Sequence, residues 1–186
     1  LHEFHFPTRM WTEITTFGTI PSGLSYFSAC VRNDVMLIFG GEKPDKTYSN
    51  MLYEYNFDTQ KWRVVNALGE IPKKRSGHSA VVRGDSMIIF GGYQGDGRSN
   101  EFFICDLRNK IWNKLEIQGY KPAKRTYVCA TGNGMDTMYI FGGYDGYFDF
   151  FSDLFSITLR SRDWKNKLWK ICCNKKFIDV KIEIIQ

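Results

Sequence analysis

The residues best suited to metal binding or acid–base work are three histidines, His2, His5 and His78, and five cysteines, Cys30, Cys105, Cys129, Cys172 and Cys173. Copper or zinc needs imidazoles and thiolates that converge on one point. His2 and His5 lie three apart on a segment of strand character, so they face opposite sides, and His78 is far along the chain. The cysteines are odd in number and form no C-x-x-C pair. That pattern disfavours a disulfide frame or zinc site and suits a reducing compartment, cytoplasm or nucleus. No serine or cysteine is matched to a histidine as nucleophile and base. The expectation is therefore no cofactor, no metal and no catalysis. A second chemistry is better supplied. Tyr48, Tyr93, Arg98, Tyr144 and Tyr147, with Gln94, Asp96 and Asp145 beside them, fall in three short segments, 43–49, 93–99 and 144–151. Tyrosine and arginine dominate the centres of protein interfaces. The glycine-rich run 91–97 is not a phosphate loop, because no helix and no Lys-Ser/Thr follows it.

Charge offers a third possibility. The net charge is +5, and between Arg160 and Lys181 eight Lys or Arg residues face only Asp163 and Asp179. Trp164, Trp169 and Phe177 interleave with the lysines, a pattern that can stack bases or meet an acidic membrane. A solvated hairpin explains the same run, so the expected partner is not nucleic acid. No segment has the apolar length of a membrane span, and residues 1–11 lack a signal-peptide pattern. The chain begins at Leu1, which reads as an internal piece of a longer protein.

What holds these loops is legible as a repeat. The doublets Gly40-Gly41, Gly91-Gly92 and Gly142-Gly143 each follow Ile-Phe and are spaced by 51. Trp11, Trp62 and Trp112 keep nearly the same period, at 51 and 50. A glycine and a proline mark each join: Gly18 and Pro21, Gly69 and Pro72, Gly119 and Pro122. The next tryptophan in register is either Trp164 or Trp169, and both remain open.

Each period carries four strand signals. In the second, His78–Arg83 is rich in β-branched residues and ends at Gly84-Asp85, a turn pair. Met87–Phe90 is wholly apolar, as a strand buried on both faces must be. Asn100–Leu107 is a third strand, Arg108–Lys110 a turn, and Trp112–Ile117 a fourth strand that alternates apolar and polar residues. One four-stranded sheet cannot cover both its own faces; stacking similar sheets around an axis does. The fold class expected is all-β, a propeller.

The run Met87–Tyr93 (Met-Ile-Ile-Phe-Gly-Gly-Tyr), its counterpart Met138–Gly146, and Arg75-Ser-Gly-His-Ser79 resemble the kelch family, most closely its leucine-zipper-like regulators and BTB-kelch proteins. The resemblance covers Leu1 to about Ile171. It implies a kelch-type β-propeller, a partial ring of about three and a half four-stranded blades. A half blade falls at 1–20 and whole ones at about 21–70, 71–120 and 121–171. The alternating tail 172–186 either opens a further blade or caps the last. The glycine doublets and Trp11, Trp62 and Trp112 are expected to be structural, the tryptophans as core between blades. Departures are Leu24 where Arg75 and Arg125 stand later, Glu42 in place of Tyr93 and Tyr144, Ser152 in place of Asn50 and Asn100, and His78 between Phe27 and Val128.

The resemblance also implies function: a protein-interaction module that binds another protein or peptide, such as the substrate-recognition or scaffold part of a ubiquitin-ligase adaptor. Strand alternation puts the Gly-doublet loops and the joins between blades on one rim. There the family's arginines line a peptide pocket, a role carried onto Arg75 and Arg125. The bland readings are that both arginines bond loop carbonyls, that Tyr93 and Tyr144 pack beneath the loops, and that Asn50 and Asn100 cap turns. If the pocket role holds, replacing both arginines by alanine weakens the partner without lowering thermal stability. Some kelch propellers are copper oxidases; the scattered histidines make that alternative the weaker one.

Overall fold

A computed structural model describes residues 1–117, 120–134, 136–147, 149–159 and 180–184. The described residues form strands and loops without a helix. A first pair, β1 (His2–His5) and β2 (Met10–Glu13), stands alone. The first full blade is β4 (Ser28–Arg32), β5 (Val35–Phe39), β6 (Leu52–Asn56) and β7 (Lys61–Val65), antiparallel in that order. The second is β9 (Ser79–Arg83), β10 (Ser86–Phe90), β11 (Phe102–Asp106) and β12 (Ile111–Leu115). The third is β13 (Cys129–Gly132), β14 (Thr137–Phe141), β15 (Leu154–Leu159) and β16 (Val180–Ile184).

Two short strands were invisible to the periodicity. β3 (Phe17–Gly18) lies parallel to β7, and β8 (Leu68–Gly69) lies parallel to β12. Each belongs to the segment arriving from the previous blade. The chain thus runs along the outer edge of the next blade before it crosses to that blade's innermost strand. A covered edge offers no free ladder of N–H and C=O groups.

The core lies between sheets. Leu37 and Phe39 of the first blade pack with Met87, Ile89, Cys105 and Trp112 of the second. Ile88, Phe90 and Ile104, from the opposite face of the second blade, pack with Val128, Met138, Ile140 and Phe155 of the third. Alternate residues of β10 therefore serve two interfaces, and all five are buried. This is why Met87–Phe90 is continuously apolar.

Two expectations need correction. Trp62 and Trp112 are buried as expected, but Trp11 is 69% exposed. Its strand pair has no further strand beside it among the described residues, and the indole packs on Phe4, with ring centroids 5.1 Å apart. The second is the boundary drawn at 171 for the third blade. Val180–Ile184 pairs with β15 and supplies that blade's fourth strand, which places part of 172–186 inside the blade assigned to 121–171. Trp164, Trp169 and the basic tract as far as 179 lie outside the described residues.

Candidate functional site: the loop rim

The Gly doublets put the loops and joins on one rim. Gly92 has φ +95°, and a Cβ there would meet Ser76 O and His78 Cβ at 2.9 Å. Only glycine lets the loop turn while the neighbouring join runs against it. Backbone bonds then lace loop to join: Gly41 N–H to Arg75 O and Gly92 N–H to Arg125 O, at 2.8 and 2.9 Å. Asn50 and Asn100 tie the same parts by side chain, donating to Pro72 O and Pro122 O at 3.2 and 3.0 Å. These are bonds across to the next join, not caps of a local turn. Replacing Asn100 by alanine should cost about 1 kcal/mol, the usual worth of one such bond, read as a lower urea midpoint.

Arg75 and Arg125 do not line a pocket in this structure. Each is 0% exposed. Arg75 donates to Lys73 O, Gly91 O and Glu101, at 3.1, 2.9 and 3.4 Å, and lies over the Phe103 ring. Arg125 donates to Ala123 O and Gly142 O at 3.1 and 2.9 Å, pairs with Asp153, and lies over Phe151. The physical reason is a carbonyl left behind by each Gly doublet together with an acid just before the third strand. Together they give a buried guanidinium partners on every side. Burial would raise the Glu101 pKa, but bonds from Lys114, Gln94 and Ser99 prevail and hold it down at about 2. The first blade lacks both members: Leu24 stands at the arginine position and Met51 at the acid position.

The tyrosines do come together. Tyr48 meets Tyr93 edge to face at 5.5 Å, and Arg98 lies over both Tyr93 and Tyr144, at 5.1 and 5.8 Å. Tyr144 stacks on Phe150. The hydroxyls of Tyr93 and Tyr144 donate to loop carbonyls, Gly95 O and Tyr147 O. Asp145 Oδ1 accepts the N–H groups of Tyr147 and Asp149, and Tyr147 is 75% exposed. Gln94 donates to Glu101, and Asp96 is exposed.

Sequence reading missed Tyr26 and Tyr127. These and Gly77 occupy one repeat position, two residues after Leu24, Arg125 and Arg75. All three have left-handed backbone, with φ of 54°, 54° and 63°. They are linked by Gly77 N–H to Tyr26 O and Tyr127 N–H to Gly77 O, at 2.8 and 2.7 Å. Because Gly77 has no side chain, the flanking rings meet across it at 5.3 Å. Both tyrosines stay more than half exposed, 55% and 57%. Burial, with Tyr26 and Glu42 nearby, raises the Tyr127 pKa.

A serine–histidine pair was also missed. Ser28 Oγ lies 2.8 Å from His78 Nε2. Both side chains are buried, and burial, with Arg75 nearby, lowers the His78 pKa to about 3. A base so weak and so enclosed serves as a bond between blades; Cys30 Sγ repeats the tie, donating to Ala80 O. Among the described residues no cluster of His, Cys, Asp or Glu is arranged to hold a metal ion.

The profile described as the KLHDC2/KLHL20/DRC7 Kelch-repeats domain matches residues 1–175. This chain belongs to the kelch-repeat family. Kelch domain-containing protein 3 of Rattus norvegicus is 32% identical over 177 residues, 89% of this chain and 46% of that protein. Kelch domain-containing protein 10 of Xenopus laevis is 31% identical over 150 residues, 73% of this chain and 36% of the relative. The leucine-zipper-like transcriptional regulator 1 homolog of Drosophila melanogaster is 29% identical over 175 residues, 89% of this chain and 17% of that protein. The chain thus spans less than half the length of these relatives. Kelch repeats are in general protein-interaction modules, and the four-stranded sheets packed face to face are the blades of such a propeller.

Proposed function

We propose that this kelch module docks a partner protein on its loop rim, as the substrate-recognition or scaffold part of a larger adaptor such as a ubiquitin-ligase receptor. The observation that carries the reading is the pair Tyr26 and Tyr127. Two bulky residues hold a backbone conformation that costs about 1–2 kcal/mol each, yet their rings remain exposed and touching. Strain kept at an exposed aromatic pair favours a binding role over a stability role. Tyr48, Tyr93, Arg98 and Tyr144 continue the same surface, in residue types that anchor interfaces. The free thiols Cys30 and Cys105, pushed up to about 11 and 12 by burial, suit a reducing compartment, cytoplasm or nucleus.

The test is the double variant Tyr26→Gly with Tyr127→Gly. Glycine relieves the strain and forfeits one ring pair worth about 0.5–1.5 kcal/mol, so stability should stay within about 1–2 kcal/mol of the parent. Capture of the partner from the native cell, with the full-length protein as bait, should fall about tenfold or more. Equal capture by the variant would move the docking surface elsewhere.

A further inference from the structure

We infer that the rim takes an acidic, extended segment of its partner protein; this rests on the docking reading above. The rim's acids are largely committed within the fold. Glu42 pairs with Lys46 at 3.2 Å. Asp45 accepts from Thr47 N–H and Oγ1, at 3.0 and 2.6 Å. Glu101 is held by Arg75 and Lys114, Asp153 by Arg125, and Asp145 caps its own loop. Asp96 and Asp149 remain exposed.

The cations are arranged in the opposite way. Lys73, Lys74, Lys121 and Lys124 are exposed and have no ion-pair partner among the described residues. Among the described residues Arg98 has no acid partner either, and its Nε, screened from water, has no hydrogen-bond partner there. The backbone sets these charges side by side. Arg75 N–H donates to Ser49 O and Ser76 bridges to Tyr93, so the join bearing Lys73 and Lys74 runs between the first and second loops. Arg125 N–H donates to Ser99 O and Thr126 bridges to Tyr144, so the join bearing Lys121 and Lys124 runs between the second and third. The Arg98 loop therefore lies between two basic joins. The first join, Ile20 to Leu24, has no charge, so the two basic joins belong to the second and third blades. Such a positive arc steers and orders an acidic chain laid along it.

A peptide fits better than nucleic acid. Arg98 lies over the faces of Tyr93 and Tyr144, and Phe150 stacks on Tyr144. Those faces are occupied, whereas binding single strands relies on free aromatic faces for the bases.

The experiment is selection from a displayed library of short random peptides on the full-length protein, repeated with the variant Lys73→Glu, Lys74→Glu, Lys121→Glu, Lys124→Glu. The four lysines are exposed, so the urea midpoint of the variant should match the parent and confirm folding. Peptides selected by the parent should be enriched in Asp and Glu. The variant should bind them about tenfold more weakly or worse and select basic peptides instead. Enrichment without charge bias, or enrichment unchanged in the variant, overturns the inference. Stronger capture of a labelled oligo-dT than of the selected peptides also overturns it and gives the surface to nucleic acid. If the lysine variant still captures the cellular partner and the tyrosine variant does not, docking on the rim stands and only the acidic chemistry falls.

Discussion

Replacing Arg125 by alanine is expected to cost about 3–5 kcal/mol of stability, the range found when one partner of a buried ion pair is removed. The guanidinium has no exposed surface and serves Ala123 O, Gly142 O and Asp153 together. Truncation leaves two carbonyls short of donors and a hole against Phe151 and Phe155. The sequence comparison with kelch adaptors implies the reverse outcome, lost binding at unchanged stability. Denaturation in urea decides between them. A wild-type midpoint with a lost partner would restore the pocket role and refute the buried placement. Within the second blade the protein supplies its own control. Arg75→Leu together with Glu101→Met reproduces the Leu24 and Met51 of the first blade, and buried pairs exchanged for apolar ones are often neutral in stability. The pair should therefore be far milder than Arg75→Ala alone, measured in the same way.

Mild acid should unfold the protein through His78. Its folded-state pKa is about 3, against about 6.5 for an unperturbed imidazole. Burial disfavours the imidazolium, and the Arg75 charge adds to that. The unfolded chain therefore binds a proton near pH 6.5 that the folded chain refuses until about pH 3. Stability from this site is complete above pH 6.5 and is lost as pH falls, by about 1.4 kcal/mol per unit. Between pH 6.5 and 5 that is about 2 kcal/mol, in a window above the ordinary carboxylate range. Glu101, held down at about 2, adds its own loss only below about pH 4.5. His78→Phe, which reproduces Phe27 of the first blade, should lower stability at pH 7, because Ser28 loses its partner, and flatten the loss toward pH 5. An equal loss in that variant would assign the acid sensitivity to another group.

The strands were legible because burial on two faces writes itself into composition: no polar residue can interrupt Met87–Phe90. The turns were legible for a similar local reason, glycine at left-handed positions. The site was read less well, and the reasons are specific. An arginine's type and register say nothing about what stands opposite it. Its acid comes 26 residues later for Arg75 and 28 for Arg125, so no fixed spacing marks the pair. The signal available was the joint change in the first blade, Leu24 with Met51. Tyr26 and Tyr127 were hidden because Gly77 breaks their series, although that gap is what lets the rings meet. Trp11 kept its period but lost its cover, since burial belongs to the neighbour as much as to the residue.

The short strands β3 and β8 set an order of events during synthesis. Phe17 pairs with Lys61, 44 positions later, and Leu68 pairs with Ile111, 43 later. The outermost strip of the first and second blades is thus the first part of each to leave the ribosome, and it has nowhere to dock until the fourth strand arrives. A nascent blade must hold this strip open through nearly a whole period, at the slow pace of long-range pairing. When the fourth strand emerges, one contact covers the edge of the blade and fixes the segment from the blade before it, so neither of these two blades can be finished before its own last strand is made.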